Sequence, residues 1–92
     1  MPTRDRREWM NKATDPVLEL LDEGLVLNGR AIRYTLFHRA DSPADAPGRS
    51  TIYRALNDLS EHGFVEVFEK NDSYYKITDT GRRYLAGEKL ES

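Results

Sequence analysis

The chain of 92 residues is 38% hydrophobic and 33% charged, with a formal net charge of -2 at pH 7. This length fits one domain with a modest core, and the absence of cysteine excludes disulfides, thiolate metal sites and cysteine nucleophiles. The N-terminal residues MPTRDRREWM resemble no signal peptide, and no apolar run is long enough to span a membrane, so we expect a cytoplasmic protein.

Charge is distributed unevenly along the chain. Residues 1–12 and 28–54 carry net charges of +2 and +3, whereas residues 13–27 and 55–69 each carry -4. A polyanion would therefore be attracted by one part of the surface and repelled by another part.

We predict a basic N-terminal arm (1–12), a folded domain (13–87) and a C-terminal tail (88–92). Basic arms of DNA-binding proteins can enter a minor groove, and most chain termini are frayed and solvated. Both interpretations are open for the three arginines of the arm, Arg4, Arg6 and Arg7.

The first helix is predicted over residues 15–24, DPVLELLDEG. Asp15 suits the N-cap, Pro16 suits the first helical position and Gly24 suits the C-terminal stop. The following residues LVL predict a very short extended segment. Apolar residues recur on one side of the helix, at Val17, Leu18, Leu21 and Leu25.

Asn28 suits the N-cap of a second helix over residues 29–40, GRAIRYTLFHRA. Residues 41–48, DSPADAPG, predict a loop that is longer than the turn of a minimal helix-turn-helix motif. The predicted inner stripe of the second helix consists of Ile32 and Leu36, with Ala31 or Phe37 beside them. Arg30 and Arg33 lie on the outer part of this helix.

The third helix, predicted over residues 50–62, is amphipathic. One arc of about 100° holds its apolar residues, Ile52, Ala55, Leu56 and Leu59. The opposite side holds four polar residues, Ser50, Arg54, Asn57 and Glu61. Tyr53 lies at one flank of this polar side, and Thr51 and Asp58 lie at the other flank.

Two β-rich runs follow at residues 64–69 and 74–78, and the turn-forming residues KNDS between them predict a hairpin. Asp79 or Thr80 suits the cap of a last helix over residues 81–90, which packs back through Tyr84 and Leu85. We therefore predict an α+β fold in the order helix, short strand, two helices, β-hairpin and helix. Three short helices followed by a hairpin are typical of a winged helix.

The segment STIYRALNDLSEHGFVE, followed by YYKITDTGRRYL, resembles the winged helix-turn-helix transcription regulators of the PadR and MarR type. EWMNKATDPVLELL is further similar to the small haloarchaeal regulators of the phage phi-H repressor type. The resemblance covers residues 9–87 and implies a three-helix core, a short strand, a hairpin wing and a terminal helix. It also implies an archaeal, repressor-like protein that binds double-stranded DNA, with helix three as the recognition helix.

The chemistry of helix three agrees with this implication. A recognition helix presents its first turns to the major groove, where arginine pairs with guanine and asparagine with adenine. Arg54 and Asn57 lie three residues apart, so we expect them to address neighbouring bases. Tyr53 either packs against helix two or contacts DNA. At the start of helix three, we expect further contacts from Arg49, Ser50 and Thr51, and at the start of helix two from Asn28, Arg30 and Arg33. At the wing, the expected contacts are Lys70, Asn71, Ser73 and Lys76.

Other chemistry is not indicated by the sequence. His38 and His62 are the only histidines, and neither has a second ligand at metal-binding spacing. Ser50 and Ser60 lie outside any nucleophile elbow, and the chain has no glycine-rich phosphate cradle. We therefore expect no enzyme, no metal and no cofactor, and no small-molecule ligand is evident from the sequence.

A homodimer is expected, because one module of this size would bind DNA weakly and a dimer matches two half-sites. Its contact would come either from the last helix or from Trp9 and Met10 with helix one. The alternative function is a winged-helix adaptor that binds another protein and not DNA, which the acidic residues 13–27 and 55–69 favour.

Overall fold

A computed structural model describes residues 4–68 and 73–88 of the chain. The predicted order of elements is confirmed, and a single 3-10 turn inside the predicted loop is an addition. The elements in chain order are α1 (Thr14–Leu21), β1 (Leu27–Asn28), α2 (Gly29–Arg39), the 3-10 turn (Pro43–Asp45), α3 (Arg49–Glu61), β2 (Val65–Phe68), β3 (Tyr74–Ile77) and α4 (Asp79–Leu85).

The three strands form one antiparallel sheet in the order β1-β3-β2. β2 and β3 pair over their full length, beginning with Val65 opposite Ile77, which confirms the predicted hairpin. β1 pairs with the other side of β3, where Leu27 lies opposite Tyr75. Most of the predicted turn KNDS, residues 70–72, lies outside the described residues.

Helices α1 and α3 supply most of the core beneath this sheet. Burying one aliphatic side chain of this size contributes roughly 1.5–3 kcal/mol, which makes the apolar sides of these helices the main stabilising surface. The predicted apolar side of α3 is confirmed, because four residues are at most 1% exposed: Ile52, Ala55, Leu56 and Leu59. α1 buries Val17, Leu18 and Leu21 as predicted, together with Leu20.

The start of α1 differs from the prediction, because Asp15 is not its cap. The helix begins at Thr14, after Ala13, and no side chain caps it. The Asp15 carboxylate instead accepts a hydrogen bond from the Tyr84 hydroxyl at 2.7 Å and lies 3.1 Å from the Arg4 guanidinium. A carboxylate held by a buried phenol and a cation is not free to accept from the helix amides.

Two apolar residues are more exposed than their helical positions suggested. Leu25 was predicted on the buried side of helix one, but it is 38% exposed. Gly24 has a φ of +91°, which turns the chain after α1 and removes Leu25 from the helical periodicity. In α2, Ile32 is fully buried, whereas Phe37 points outward and is 49% exposed.

α4 begins and ends earlier than predicted. Its cap is Thr78, and not Asp79 or Thr80, because the chain leaves β3 in the extended conformation that an N-cap requires. The Thr78 hydroxyl oxygen accepts a hydrogen bond from the Gly81 amide at 3.2 Å. The helix ends at Leu85, well before residue 90, since the backbone turns at residues 86–87.

The described part of the N-terminal arm, residues 4–12, packs on the domain. The Arg4 guanidinium lies 2.7 Å from the Glu19 carboxylate of α1. The Trp9 ring stacks on His62 with a centroid separation of 4.2 Å and an interplanar angle of 3°. This part of the arm therefore contacts the domain, while the domain boundary at residue 13 and a role of the arm in DNA binding stay predictions.

Candidate nucleic-acid interface

α3 presents its polar side to solvent. Ser50, Arg54 and Asn57 are exposed, on the side of the helix opposite its buried residues. Arg54 and Asn57 lie about one helical turn apart, so their side chains are neighbours on this surface. The helix surface therefore offers a guanidinium, an amide and a hydroxyl side by side, which are groups that pair with base edges.

The start of α3 has no side-chain cap. The helix begins at Arg49, one residue before the prediction, and its N-cap is Gly48, which has no side chain to accept from the amides. This first turn contacts the arm, because the Asn11 side-chain amide donates to the Thr51 carbonyl oxygen at 3.0 Å. Thr51 itself is half-buried, while Arg49 is exposed.

Tyr53 lies between α3 and the start of α2. A Cβ atom added to Gly29 would lie 2.5 Å from Tyr53 Cε1, so glycine is the residue that lets the ring approach this closely. The Arg49 guanidinium lies 5.8 Å from the centre of the same ring, within the range of a cation–π interaction. Tyr53 thus packs against α2, as one of the two sequence alternatives proposed, and 39% of it stays exposed.

The ten arginines of the chain fall into two groups. Six form ion pairs with acidic side chains: Arg4, Arg6, Arg7, Arg39, Arg82 and Arg83. Four have no acidic partner among the described residues: Arg30, Arg33, Arg49 and Arg54. These four belong to α2 and α3, so the arginine charge that no described carboxylate compensates lies on these two helices.

A cleft of about 420 Å³ separates α2 from the start of α3. The Arg33 guanidinium, which borders it, lies 5.8 Å from the centre of the Tyr34 ring. Tyr34 and Phe37 were not predicted as site residues, and Phe37 was one of two candidates for a place beside the inner stripe. The signal that could have found them is that both follow an arginine-bearing stretch on an otherwise polar helix. The lining comes from α2, from the end of the loop and from α3: Arg33, Tyr34, Phe37, Ala46, Pro47, Gly48 and Arg49.

The two other predicted residues of α2 differ in their surroundings. The Asn28 side-chain oxygen accepts a hydrogen bond from the Ala31 amide at 2.8 Å, which confirms Asn28 as the cap of α2. Its oxygen is therefore engaged with the helix. Arg30, at the second helical position, is exposed.

The described part of the wing places Lys76 on β3, exposed and opposite Glu66 of β2. Ser73 is half-buried, and its side chain forms a hydrogen bond with the Tyr75 phenol. Burial raises the pKa of Tyr75, the nearby Tyr53 adds to this rise, and the Ser73 hydrogen bond opposes it. Two predicted wing residues, Lys70 and Asn71, lie outside the described residues.

Over residues 4–68 and 73–88, no three His, Cys, Asp or Glu side chains come together as metal ligands. The helices in these ranges are too short or too polar to cross a membrane.

Three solved structures share the architecture of this chain. The PhiH1 repressor-like protein from Haloarcula marismortui is 23% identical, with a TM-score of 0.70 over 95% of this chain and 89% of that chain. The ferric uptake regulator from Francisella tularensis is 17% identical, with a TM-score of 0.65 over 82% of this chain and 59% of its own length. A candidate transcriptional regulator from Thermoplasma acidophilum is 26% identical, with a TM-score of 0.58 over 77% of this chain and 71% of that chain.

None of the curated proteins matches the chain in sequence. The three structural likenesses and the element order confirm the predicted winged helix-turn-helix fold. The model of the PadR-like transcriptional regulators matches residues 17–87, which is most of the chain. The chain therefore belongs to the PadR-like family of transcriptional regulators.

Proposed function

We propose that this transcriptional regulator binds double-stranded DNA sequence-specifically, with α3 in the major groove. Arg54 and Asn57 read base edges, while Ser50 and Thr51 at the helix start make adaptable contacts. Arg30 and Arg33 of α2 bind phosphates, and the wing contacts the backbone or a minor groove through Ser73 and Lys76, and through Lys70 and Asn71 outside the described residues. Membership of a regulator family agrees with a sequence that carries no catalytic motif.

The observation that carries this proposal is the distribution of unpaired arginines. An arginine that already faces a carboxylate gains less from a phosphate, because its charge is compensated. Arg30, Arg33, Arg49 and Arg54 have no acidic partner among the described residues, and they lie on the two helices that a helix-turn-helix protein places against DNA. This concentration supports a polyanionic partner despite the net charge of -2.

The first test is the salt dependence of binding to a generic duplex of about three helical turns. We expect log K to fall linearly with log salt, with a slope of about -0.9 for each phosphate that the protein neutralises. Fluorescence anisotropy measures this slope. Arg82→Ala is the control, because Arg82 already pairs with Asp22 at 3.4 Å and should leave the slope unchanged.

The second test separates base reading from phosphate contact. After selection of a preferred site from random duplexes, Arg54→Ala and Asn57→Ala should each cost about 1–3 kcal/mol on that site and much less on unselected DNA. An equal loss on all duplexes would assign both residues to the backbone. If the wild type failed to bind any duplex at low salt, the adaptor function would replace this one, and a protein partner would be sought.

The expected homodimer is part of the proposal. Trp9 stacks on His62 of its own chain and Met10 is 9% exposed, so little of either side chain is left for a dimer contact. This favours the other sequence alternative, the side of α4. Sedimentation equilibrium with and without duplex tests the assembly, and a strict monomer on a two-half-site duplex would contradict it.

A further inference from the structure

The cleft between α2 and the start of α3 combines features that a solvated helix surface does not need. Tyr34 is 57% exposed and Phe37 is 49% exposed, so two large rings of α2 face an open space of about 420 Å³. Ligand sites of proteins commonly enclose about 300–1,000 Å³. The space therefore suits a group the size of one nucleotide.

Two guanidinium groups from different helices border this space. Arg33 comes from α2 and Arg49 from the first position of α3. Neither has an acidic partner among the described residues, and each lies 5.8 Å from the centre of an aromatic ring, Arg33 over Tyr34 and Arg49 over Tyr53. A guanidinium that lies over a ring still has its N–H groups at the edge, and it can donate these to the oxygens of a phosphate.

We propose that this cleft binds one sugar–phosphate unit of the DNA backbone, with the phosphate between Arg33 and Arg49 and the deoxyribose against Tyr34 and Phe37. The proposal rests on the proposed function, because it places the strand beside the groove that α3 enters. Contacts of this kind carry no sequence information, but they set the register of the protein on the duplex. Tyr34 and Phe37 thereby become binding residues, a role that the sequence patterns did not assign.

The test uses the full chain and the salt series on a generic duplex. Arg33→Gln and Arg49→Gln should each reduce the magnitude of the slope by about 0.9, because each removes one phosphate contact. Phe37→Ser should weaken binding several-fold at every salt concentration and leave the slope unchanged, since it removes an apolar contact and no charge. The matched control is Arg39→Gln, which lies on the same helix but pairs with Glu23, and its slope should equal that of the wild type.

A double variant tests whether the two contacts belong to one bound unit. Arg33→Gln combined with Phe37→Ser should lose less affinity than the sum of the single losses, because release of the phosphate also weakens the sugar contact. Fully additive losses would overturn the shared site. Circular dichroism and thermal melts of every variant confirm that the fold is intact.

The outcomes distinguish this proposal from the broader one. If the wild type binds DNA with a steep salt slope while the Arg33 and Arg49 variants keep that slope, the cleft proposal fails and DNA binding stands. If the wild type does not bind any duplex, the proposed function itself fails. If thymidine monophosphate shifts the amide resonances of the cleft and a duplex does not, the cleft is a small-molecule site and the proposal is overturned.

Discussion

Replacing Gly81 with alanine should destabilise the domain by about 2 kcal/mol. An added Cβ would lie 2.5 Å from the Phe64 carbonyl oxygen and 2.7 Å from Ile77 Cγ1, whereas unstrained contacts are about 3.5–4.0 Å. The Phe64 carbonyl group cannot move easily, because it accepts a hydrogen bond from the Thr78 amide at 3.0 Å. Overpacking of this kind lowers the free energy of unfolding by up to about 3 kcal/mol. The better helix propensity of alanine offsets about 1 kcal/mol of this loss.

Urea unfolding and thermal melts measure the effect. A loss of about 2 kcal/mol corresponds to a decrease in Tm of roughly 8–16 °C for a domain of this size, and it leaves the variant folded. The comparison is Gly29→Ala, whose Cβ would also lie 2.5 Å from another atom, Tyr53 Cε1. That atom is at the far end of a partly exposed side chain that can move, so the loss should be clearly smaller. Equal losses in the two variants, or a Gly81 variant as stable as the wild type, would refute the reasoning.

Three further predictions concern aromatic side chains. Tyr84→Phe should lower the free energy of unfolding in urea by about 1.5 kcal/mol, because Asp15 loses a hydrogen bond of 2.7 Å. Burial, and then the hydrogen bond to Asp15, raise the pKa of Tyr84, and burial raises that of Tyr75, so both should ionise above the usual range of a tyrosine in an ultraviolet absorbance titration. The native state keeps these protons to higher pH than the unfolded chain, so their contribution to stability is complete below pH about 10 and is lost as the pH rises further. His62→Ala should shift Trp9 emission to longer wavelength, because it removes the ring stacked at 4.2 Å.

Each of these predictions has a result that would contradict it. An unchanged unfolding free energy for Tyr84→Phe would mean that the arginines of the arm satisfy the Asp15 carboxylate by themselves. Ionisation of Tyr75 and Tyr84 in the usual range of a tyrosine, in a chain that stays folded, would contradict the burial of these two phenols. Unchanged emission in His62→Ala would mean that the two rings do not stack in solution.

Short-range patterns in the sequence were sufficient to predict most of the elements. The buried side of α3 follows from apolar residues three and four positions apart. The cap of α2 follows from an asparagine just before the helix, and its hydrogen bond joins Asn28 to Ala31, only three residues away. The hairpin follows from two β-rich runs around turn-forming residues. Such signals involve neighbours in the chain, and periodicity reports them directly. The polar set on α3, with Arg54 and Asn57 exposed, followed from the same periodicity.

Contacts between distant residues had no such signal. Asp15 looked like a helix cap, but its partner Tyr84 lies 69 residues away, and a buried phenol binds a carboxylate more effectively than the solvated end of a helix does. The cleft could not be predicted either, because Tyr34 and Phe37 meet Arg49 only when α3 folds back along α2.

By itself, the sequence determined the order of the helices and strands, the apolar sides that form the core and the polar residues that α3 exposes. Only the tertiary structure decided which arginines are compensated and which are not. Arg33 and Arg39 both lie on α2, yet Arg39 pairs with Glu23, which follows α1, while Arg33 borders an open cleft. An ion pair depends on which side chains the fold brings within a few ångströms of each other, and this distance is set by the packing of the helices and not by their spacing along the chain.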